Sequence, residues 1–368
     1  MPHNMIGHPV QDLDTPAIVI DLDILERNLE NVASYAKEHG LRLRPHTKTH
    51  KIPALGRKQV ELGAAGLTVA KVSEAEVMAT IDPPSILIAY PIIGHPKLER
   101  LMALARSQAV TVALDSFEVA QGLSDAAAAA GVSIGILAEF DGGLHRVGVQ
   151  PERLISLIER IHDLPGLRFE GIAFYPGHIK KLDDEGDAKI REASALLRDV
   201  LSRVRERWPV EVVSGGSTPA LYRSHEFDGI NEIRPGTYIF NDWNTVLSGG
   251  CEFADCAARI HATVVSTSVP GQIVLDGGSK TFSSDRPAAA ADALFGQIVD
   301  HPEAEFFRLN EEHGWVRVPD NGKFKIGQRL EVIPVHVCVA INLHDQVYGV
   351  RNGCVEVVWK VEGRGKLQ

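Results

Sequence analysis

Long apolar runs are missing from this chain of 368 residues. None approaches the roughly eighteen residues a membrane-spanning helix needs. Excess positive charge is missing too: 38 Lys and Arg face 48 Asp and Glu, a formal net charge of −10. A nucleic-acid binder would need a basic stripe to displace counterions. Cysteine is scarce, and Cys251, Cys256, Cys338 and Cys354 have no framework spacing, which argues against a disulfide scaffold and for a reducing compartment. The opening MPHNMIGHPVQDLD lacks the apolar core of a signal peptide. A soluble, cytoplasmic protein is expected, with no nucleic-acid or membrane partner.

What is present is repetition. Short apolar segments at 41–46, 66–71, 86–90, 110–115, 134–140, 171–175, 210–215 and 230–235 read as strands, and the stretches between them carry apolar residues at helical spacing. Ser73 with Glu76 has the pattern of a capping box at one helix start. Strict alternation implies a parallel sheet, and eight units imply a closed (β/α)8, TIM-like barrel, a fold of roughly 250 residues. The remainder suits a second, mostly β domain. From 259 onward runs such as RIHATVVSTS, QIVLDGG, RLEVIPVHVCVAI and VEVVWKV read as strands. AIVID (17–21) falls outside the eight and is expected to pair with them. The expected domains are 22–245 for the barrel, and 1–21 with 246–368 for the β domain.

Active sites of such barrels gather at the carboxy-terminal strand ends. Those ends carry Lys48, Lys71, Tyr90, Asp115, Glu139 with His145 and Arg146, Tyr175 with His178, and Arg234. SGGSTP (214–219) and RPGTY (234–238) offer backbone N–H groups and hydroxyls for a phosphate. A lysine beside a phosphate grip is what pyridoxal phosphate (PLP) requires. His46, His50 and Lys51 are read as the flanking cations that would lower the Lys48 pKa. Singly, a strand-end lysine is usually a surface charge and a glycine-rich turn usually just a turn. Their position at consecutive strand ends gives the combination its meaning.

With RPHTKTHK (44–51) the chain resembles the D-threonine aldolase / D-serine dehydratase family, which has the alanine-racemase-like fold of PLP fold type III. The likeness continues through KVSEAE (71–76), YPGH (175–178), SGGSTP, RPGTY, DGGSK (276–280), EEHG (311–314), HVC (336–338), NLHD (342–345) and VEVVWKVEGRG. It implies that Lys48 bears the cofactor and that Arg146 approaches its ring oxygen. It also implies that Ser217, Thr218, Gly236 and Thr237 hold the phosphate. Tyr175 and Arg234 would lie near the ring, with Arg234 at the pyridine nitrogen, which it would keep unprotonated.

The resemblance further implies a metal pair, His336 and Cys338. Residues two apart on a strand face one side and can reach one ion. Imidazole with thiolate favours zinc, with manganese or magnesium as alternatives, and two protein ligands leave positions open for catalysis. His313 and His344-Asp345 are candidate supports for the metal loop. Asp115 and Lys71 are read as neutralising one another, LDDEG (182–186) as a solvated loop, and Cys251 and Cys256 as ordinary thiols.

The expected activity is a PLP- and metal-dependent lyase of D-β-hydroxy-α-amino acids. NLHD and the VEVVWKVEGRG ending look like the aldolases, GSTP, RPGTYIF and His-x-Cys like the dehydratases, and the balance is read toward D-threonine aldolase. His178 or a metal-bound hydroxide would take the hydroxyl proton. Alternatives are D-serine dehydratase, D-3-hydroxyaspartate aldolase, an amino-acid racemase and a PLP carrier. A racemase has no need of the metal pair, and a carrier can manage with the barrel alone, without the β domain that follows here. A homodimer is implied by the resemblance alone.

Overall fold

The first regular elements of the computed structural model, which describes residues 5–287 and 294–368, are β1 (Ala17–Asp21) and α1 (Leu22–Glu38). Eight strands then alternate with helices. The strands are β2 (Arg42–Leu43), β3 (Leu67–Val69), β4 (Ile86–Ile88), β5 (Val110–Leu114), β6 (Ile134–Glu139), β7 (Leu167–Ala173), β8 (Val212–Gly215) and β9 (Glu232–Ile233). The helices are α2 (Pro53–Glu61), α3 (Val72–Ala79), α4 (His95–Ala105), α5 (Phe117–Ala130), α6 (Leu154–Ile161) and α7 (Asp184–Arg205), with α8 (Trp243–Leu247) after β9. The chain continues with β10 (Ala258–Ser266), β11 (Gln272–Leu275), α9 (Ser279–Phe282), β12 (Gly296–Ile298), β13 (Glu305–Leu309), β14 (Gly314–Arg317), β15 (Arg329–Pro334), α10 (Val337–Leu343), β16 (Gln346–Arg351) and β17 (Cys354–Lys360).

Two units result, one of residues 31–236 and 365–368, the other of 1–30 and 237–364. In the first, all eight strands run parallel in the order β2-β9-β8-β7-β6-β5-β4-β3. The ring closes where His46 bridges Thr68 and Thr68 N donates to Pro45 O at 2.9 Å. The expected TIM-like barrel is therefore present. Strands buried on both faces read as near-continuous apolar runs, which is why they were visible in the sequence. Side chains alternate along each strand. Leu87, Ala113, Leu137, Ala173 and Val212, one from each of five consecutive strands, form one buried layer. Two residues further along, four of the five strands lead to polar side chains, Asp115, Glu139, Tyr175 and Ser214, and the fifth to Ala89. The register places Glu139 opposite Ala173, Ala173 opposite Ser214 and Ser214 opposite Glu232. One row of the barrel thus turns from packing to charge.

Two local expectations are corrected. The N-cap of α3 is Lys71, which makes no side-chain cap. Ser73 instead bonds Gln368 O, and Glu76 bonds Arg100, so no capping box forms. LDDEG is the start of α7: Asp183 caps it by accepting Gly186 N at 3.1 Å, and Asp184, Glu185 and Asp187 sit in the first turn, where negative charge complements the helix dipole.

In the second unit nine strands follow the order β11-β14-β13-β12-β15-β10-β1-β16-β17, and β11 also pairs β10, closing six of them into an antiparallel barrel. AIVID is β1, antiparallel to β10 and parallel to β16, as expected. RLEVIPVHVCVAI is not one strand. β15 stops at Pro334 and α10 starts at Val337, burying Val337, Ala340 and Ile341 at helical spacing.

Candidate active site

Lys48 lies in a single 3-10 turn, Thr47–Thr49, directly after β2. Its backbone N–H donates to His46 Nδ1 at 3.4 Å, while Thr47 and Thr49 are buried and Lys48 is exposed. The three flanking cations expected from the sequence do not supply that role. Burial, then the charges of Lys48, Arg234, His50 and Arg146, hold His46 well below the usual imidazole range. Burial brings His50 down to about 4, so both rings are neutral at pH 7. Lys51 Nζ lies 2.8 Å from Glu74 Oε1. Nor do Lys71 and Asp115 neutralise one another: Lys71 Nζ sits 3.9 Å over the Tyr90 ring, and Asp115 accepts Gly148 N at 2.9 Å.

Arg234 is the fixed cation of the barrel mouth. Its guanidinium donates to Ser214 Oγ at 2.5 Å and to Phe174 O at 3.1 Å. Ser214 Oγ donates in turn to Glu232 Oε1 at 2.7 Å, whose other oxygen accepts Arg44 Nε at 2.9 Å. Burial raises the pKa of the Glu139 carboxyl, against the pull of Arg234 and Arg146.

The excursion between Glu139 and Val149 carries Arg146, whose guanidinium stands 5.2 Å from the Tyr175 ring. Asp141 pins this loop, accepting Gly143 N at 2.9 Å, His145 N at 3.0 Å and His145 Nδ1 at 2.5 Å. His178 packs against it: a Cβ on Gly143 would lie 2.8 Å from the His178 ring. His178 Nδ1 is buried with no hydrogen-bond partner. Burial, then Lys189, hold this imidazole below its ordinary range against the opposing pull of Asp141, so it is neutral and able to accept a proton.

Ser217 is buried, and its Oγ has no hydrogen-bond partner. Beside it Thr218 Oγ1 accepts Gly236 N at 3.3 Å. A side chain at Gly236 would meet His46 O and Thr49 Oγ1, each at 2.8 Å. A lysine-bearing turn against the Gly236 turn, which is itself bonded to the turn of Thr218 and its unmatched neighbour Ser217, suits a phosphorylated cofactor. The residues present therefore fit PLP. Thr237 follows directly in the chain.

In the second unit Thr237 Oγ1 lies 3.6 Å from Cys338 Sγ. His336 and Cys338 are brought together, but not by a strand. His336 is the N-cap of α10, with extended backbone, and Cys338 lies in the first helical turn. The two side chains are in hydrogen-bond contact. Burial opposes a charge on His336, yet Cys338, Asp242 and Asp285 outweigh it and raise the ring to about 10. His336 Nδ1 donates to Asp285 Oδ2 at 2.6 Å, so the nitrogen left for a ligand is Nε2. Among the described residues no three His, Cys, Asp or Glu side chains gather to hold one ion. A soft pair of two donors is the available set, and its chemistry fits zinc.

Two residues escaped the sequence reading. Asp242 is buried, takes Val337 N at 3.1 Å and caps α8 through Thr245 N at 2.9 Å. A helix-cap pattern, Asp242 three residues before Thr245, could have flagged it. Asp285 carries no local signal. The DGGSK and EEHG motifs meet through Lys280, which lies 2.8 Å from both Glu311 and Glu312. His344 Nε2 bonds Thr281 O at 3.2 Å.

Residues 20–242 match the family model described as the alanine racemase N-terminal domain, and 257–350 match that of the serine dehydratase domain. The chain is 32% identical to a D-threonine aldolase of Arthrobacter sp., across 98% of this chain and 95% of that one. The solved D-threonine aldolase of Filomicrobium marinum superposes with a TM-score of 0.91 at 32% identity, covering 99% of each chain. A solved cysteine-to-alanine variant of a D-threo-3-hydroxyaspartate dehydratase, described as metal-free, superposes at 0.88 with 28% identity, over 96% of this chain and 98% of that one. This chain belongs to the alanine-racemase-like PLP family of lyases that contains the D-threonine aldolases and the D-serine dehydratases.

Proposed function

We propose that this lyase acts on D-β-hydroxy-α-amino acids with PLP and a divalent metal, cleaving D-threonine to glycine and acetaldehyde. The observation that carries the proposal is the coexistence, in one chain, of the Lys48 turn with its phosphate-shaped glycine turns and the His336–Cys338 donor pair. A racemase or a PLP carrier would leave the second of these without a use.

Lys48 would hold PLP, which would supply a sink for the electron pair left on Cα, and His336 with Cys338 would hold an ion that would supply a Lewis acid for the β-hydroxyl. Arg234, held by Ser214 Oγ and the Phe174 carbonyl, would present its guanidinium to the ring nitrogen. Ser217, Thr218, Gly236 and Thr237 would hold the phosphate, and Arg146 and Tyr175 would flank the ring. His178, neutral at pH 7, takes the hydroxyl proton. The Cα–Cβ bond then breaks, its electron pair stays with Cα, and Cβ–O becomes the carbonyl of acetaldehyde. A proton delivered to Cα completes glycine.

Cys338 and the match of 257–350 to the serine dehydratase domain favour a second reading, in which Lys48 removes the Cα proton and D-serine yields pyruvate and ammonia. The likeness to the dehydratase variant keeps 3-hydroxyaspartate in view as a substrate. Zinc, a homodimer and a cytoplasmic location belong to the same proposal. It is tested by offering D-threonine and D-serine separately to PLP-loaded protein, with and without EDTA. Glycine plus acetaldehyde, lost with EDTA and restored by zinc, is the expected result. Pyruvate from D-serine replaces the aldolase by the dehydratase, and turnover indifferent to EDTA removes the metal.

A further inference from the structure

Asp285 stands 51 residues before His336 in the chain, yet its Oδ2 accepts from His336 Nδ1 at 2.6 Å. Both side chains are more than 40% exposed, and an exposed pair of this kind contributes little to stability. Ser283, between α9 and Asp285, has a φ of 73°, a left-handed conformation unfavourable for a residue with a side chain. Ser283 Oγ accepts Asp285 N at 3.2 Å. On the other side Arg286 lies 4.2 Å over the Phe295 ring. Asp285 is thus held from both flanks.

Its position is behind His336. Asp285 takes the Nδ1 side of the ring, and among the described residues it forms no three-donor cluster with His336 and Cys338. A third ligand would have to converge on the same point as Nε2 and Sγ. A carboxylate accepting from the far nitrogen of a metal-binding imidazole does something else. It selects the tautomer with its proton on Nδ1, fixes the ring plane, and makes Nε2 a stronger donor. Asp242 complements it by taking Val337 N, which anchors the backbone between the two donors.

We infer that Asp285 is the positioning residue of the metal centre, orienting His336 through Nδ1 so that Nε2 and Cys338 Sγ take up zinc. The inference rests on the metal role proposed for that pair. Its test is metal affinity, independent of turnover. Protein stripped of metal is titrated with zinc against a chromophoric chelator, and with cobalt(II) to record the thiolate charge-transfer and ligand-field bands. Wild type, Asp285→Ala, Asp285→Asn, His336→Ala and the double variant Asp285→Ala/His336→Ala are compared, with circular dichroism confirming that each is folded.

Asp285→Ala is expected to weaken zinc by roughly 10–100-fold and to shift the cobalt bands. Asp285→Asn, which keeps an acceptor oxygen, restores part of the affinity. In the His336→Ala background the Asp285→Ala change costs nothing further, because the interaction is already gone. Wild-type affinity in Asp285→Ala, with affinity lost in His336→Ala, overturns the role of Asp285 and leaves the metal pair standing. An equal loss in both backgrounds marks Asp285 as merely structural and also overturns it. Wild type and His336→Ala binding zinc alike overturns the metal pair and the inference together.

Discussion

Arg44 Nε lies 2.9 Å from Glu232 Oε2 in the barrel, with the carboxylate almost wholly buried and the guanidinium nearly so. Removing one partner strands the other charge away from water. Glu232→Gln should cost about 3–5 kcal/mol of unfolding free energy, read from urea midpoints. Arg44→Met in the same chain should recover most of it, since replacing both members of a buried pair is often neutral. A single variant as stable as wild type would show that the pair carries no desolvation penalty.

Gly236 is a close-approach position, and Gly236→Ala forces a methyl against His46 O and Thr49 Oγ1. Overpacking costs about 1–3 kcal/mol, and 1.4 kcal/mol is a factor of about ten. PLP affinity, followed by absorbance titration of the apoprotein, should fall by roughly ten- to a hundredfold. Unchanged affinity would place the cofactor turn elsewhere.

His178 should govern the acid limb of the rate profile. Its pKa lies below the ordinary imidazole value, so kcat/KM for D-threonine should hold down to a pH lower than that value and then fall as the ring is protonated. His178→Gln should lose roughly 10²–10⁴-fold in rate and lose that limb as well. A limb retained in the variant assigns the proton to another group.

His50 sets a stability window of known sign. Burial brings its ring to about 4 in the folded chain against the usual imidazole value of 6.5, so between those values the unfolded state binds the extra proton. Stability is complete above about 6.5 and is lost as pH falls toward 4, with a slope approaching 1.36 kcal/mol per pH unit for one proton. Urea unfolding from pH 4.5 to 6 should show that slope in wild type and about one proton's worth less in His50→Asn. Equal slopes would mean that His50 titrates normally.

The barrel was legible because its central strands β3 to β6 are apolar runs between turn residues and amphipathic helices, while β2 and β9, with Arg42 and Glu232, are short and partly charged. Lys48 and the glycine turns were legible from their strand-end positions. The metal segment was misread for a physical reason. VHVCVAI is rich in β-branched residues, whose intrinsic preference is strand, but Pro334 cannot continue the ladder as a donor. The Asp242 carboxylate satisfies Val337 N, one of the orphan donors at the start of a helix. That carboxylate comes from nearly a hundred residues away, as does no pattern a window can see. The flanking cations failed likewise: nothing in RPHTKTHK says that His50 is buried or that Lys51 meets Glu74. Asp285 is invisible in sequence because its meaning lies wholly in a partner 51 residues later.

Strand β1 is translated before any of the parallel barrel, yet its two neighbours, β10 and β16, come from 258–266 and 346–351. On the ribosome the eight parallel strands can zip together while β1 still has no edge to join. A nascent chain released before residue 346 would carry a finished set of barrel strands and an apolar AIVID ribbon with one side unpaired. Such edges recruit other strands, so incomplete chains announce themselves to chaperones and proteases through their own first strand.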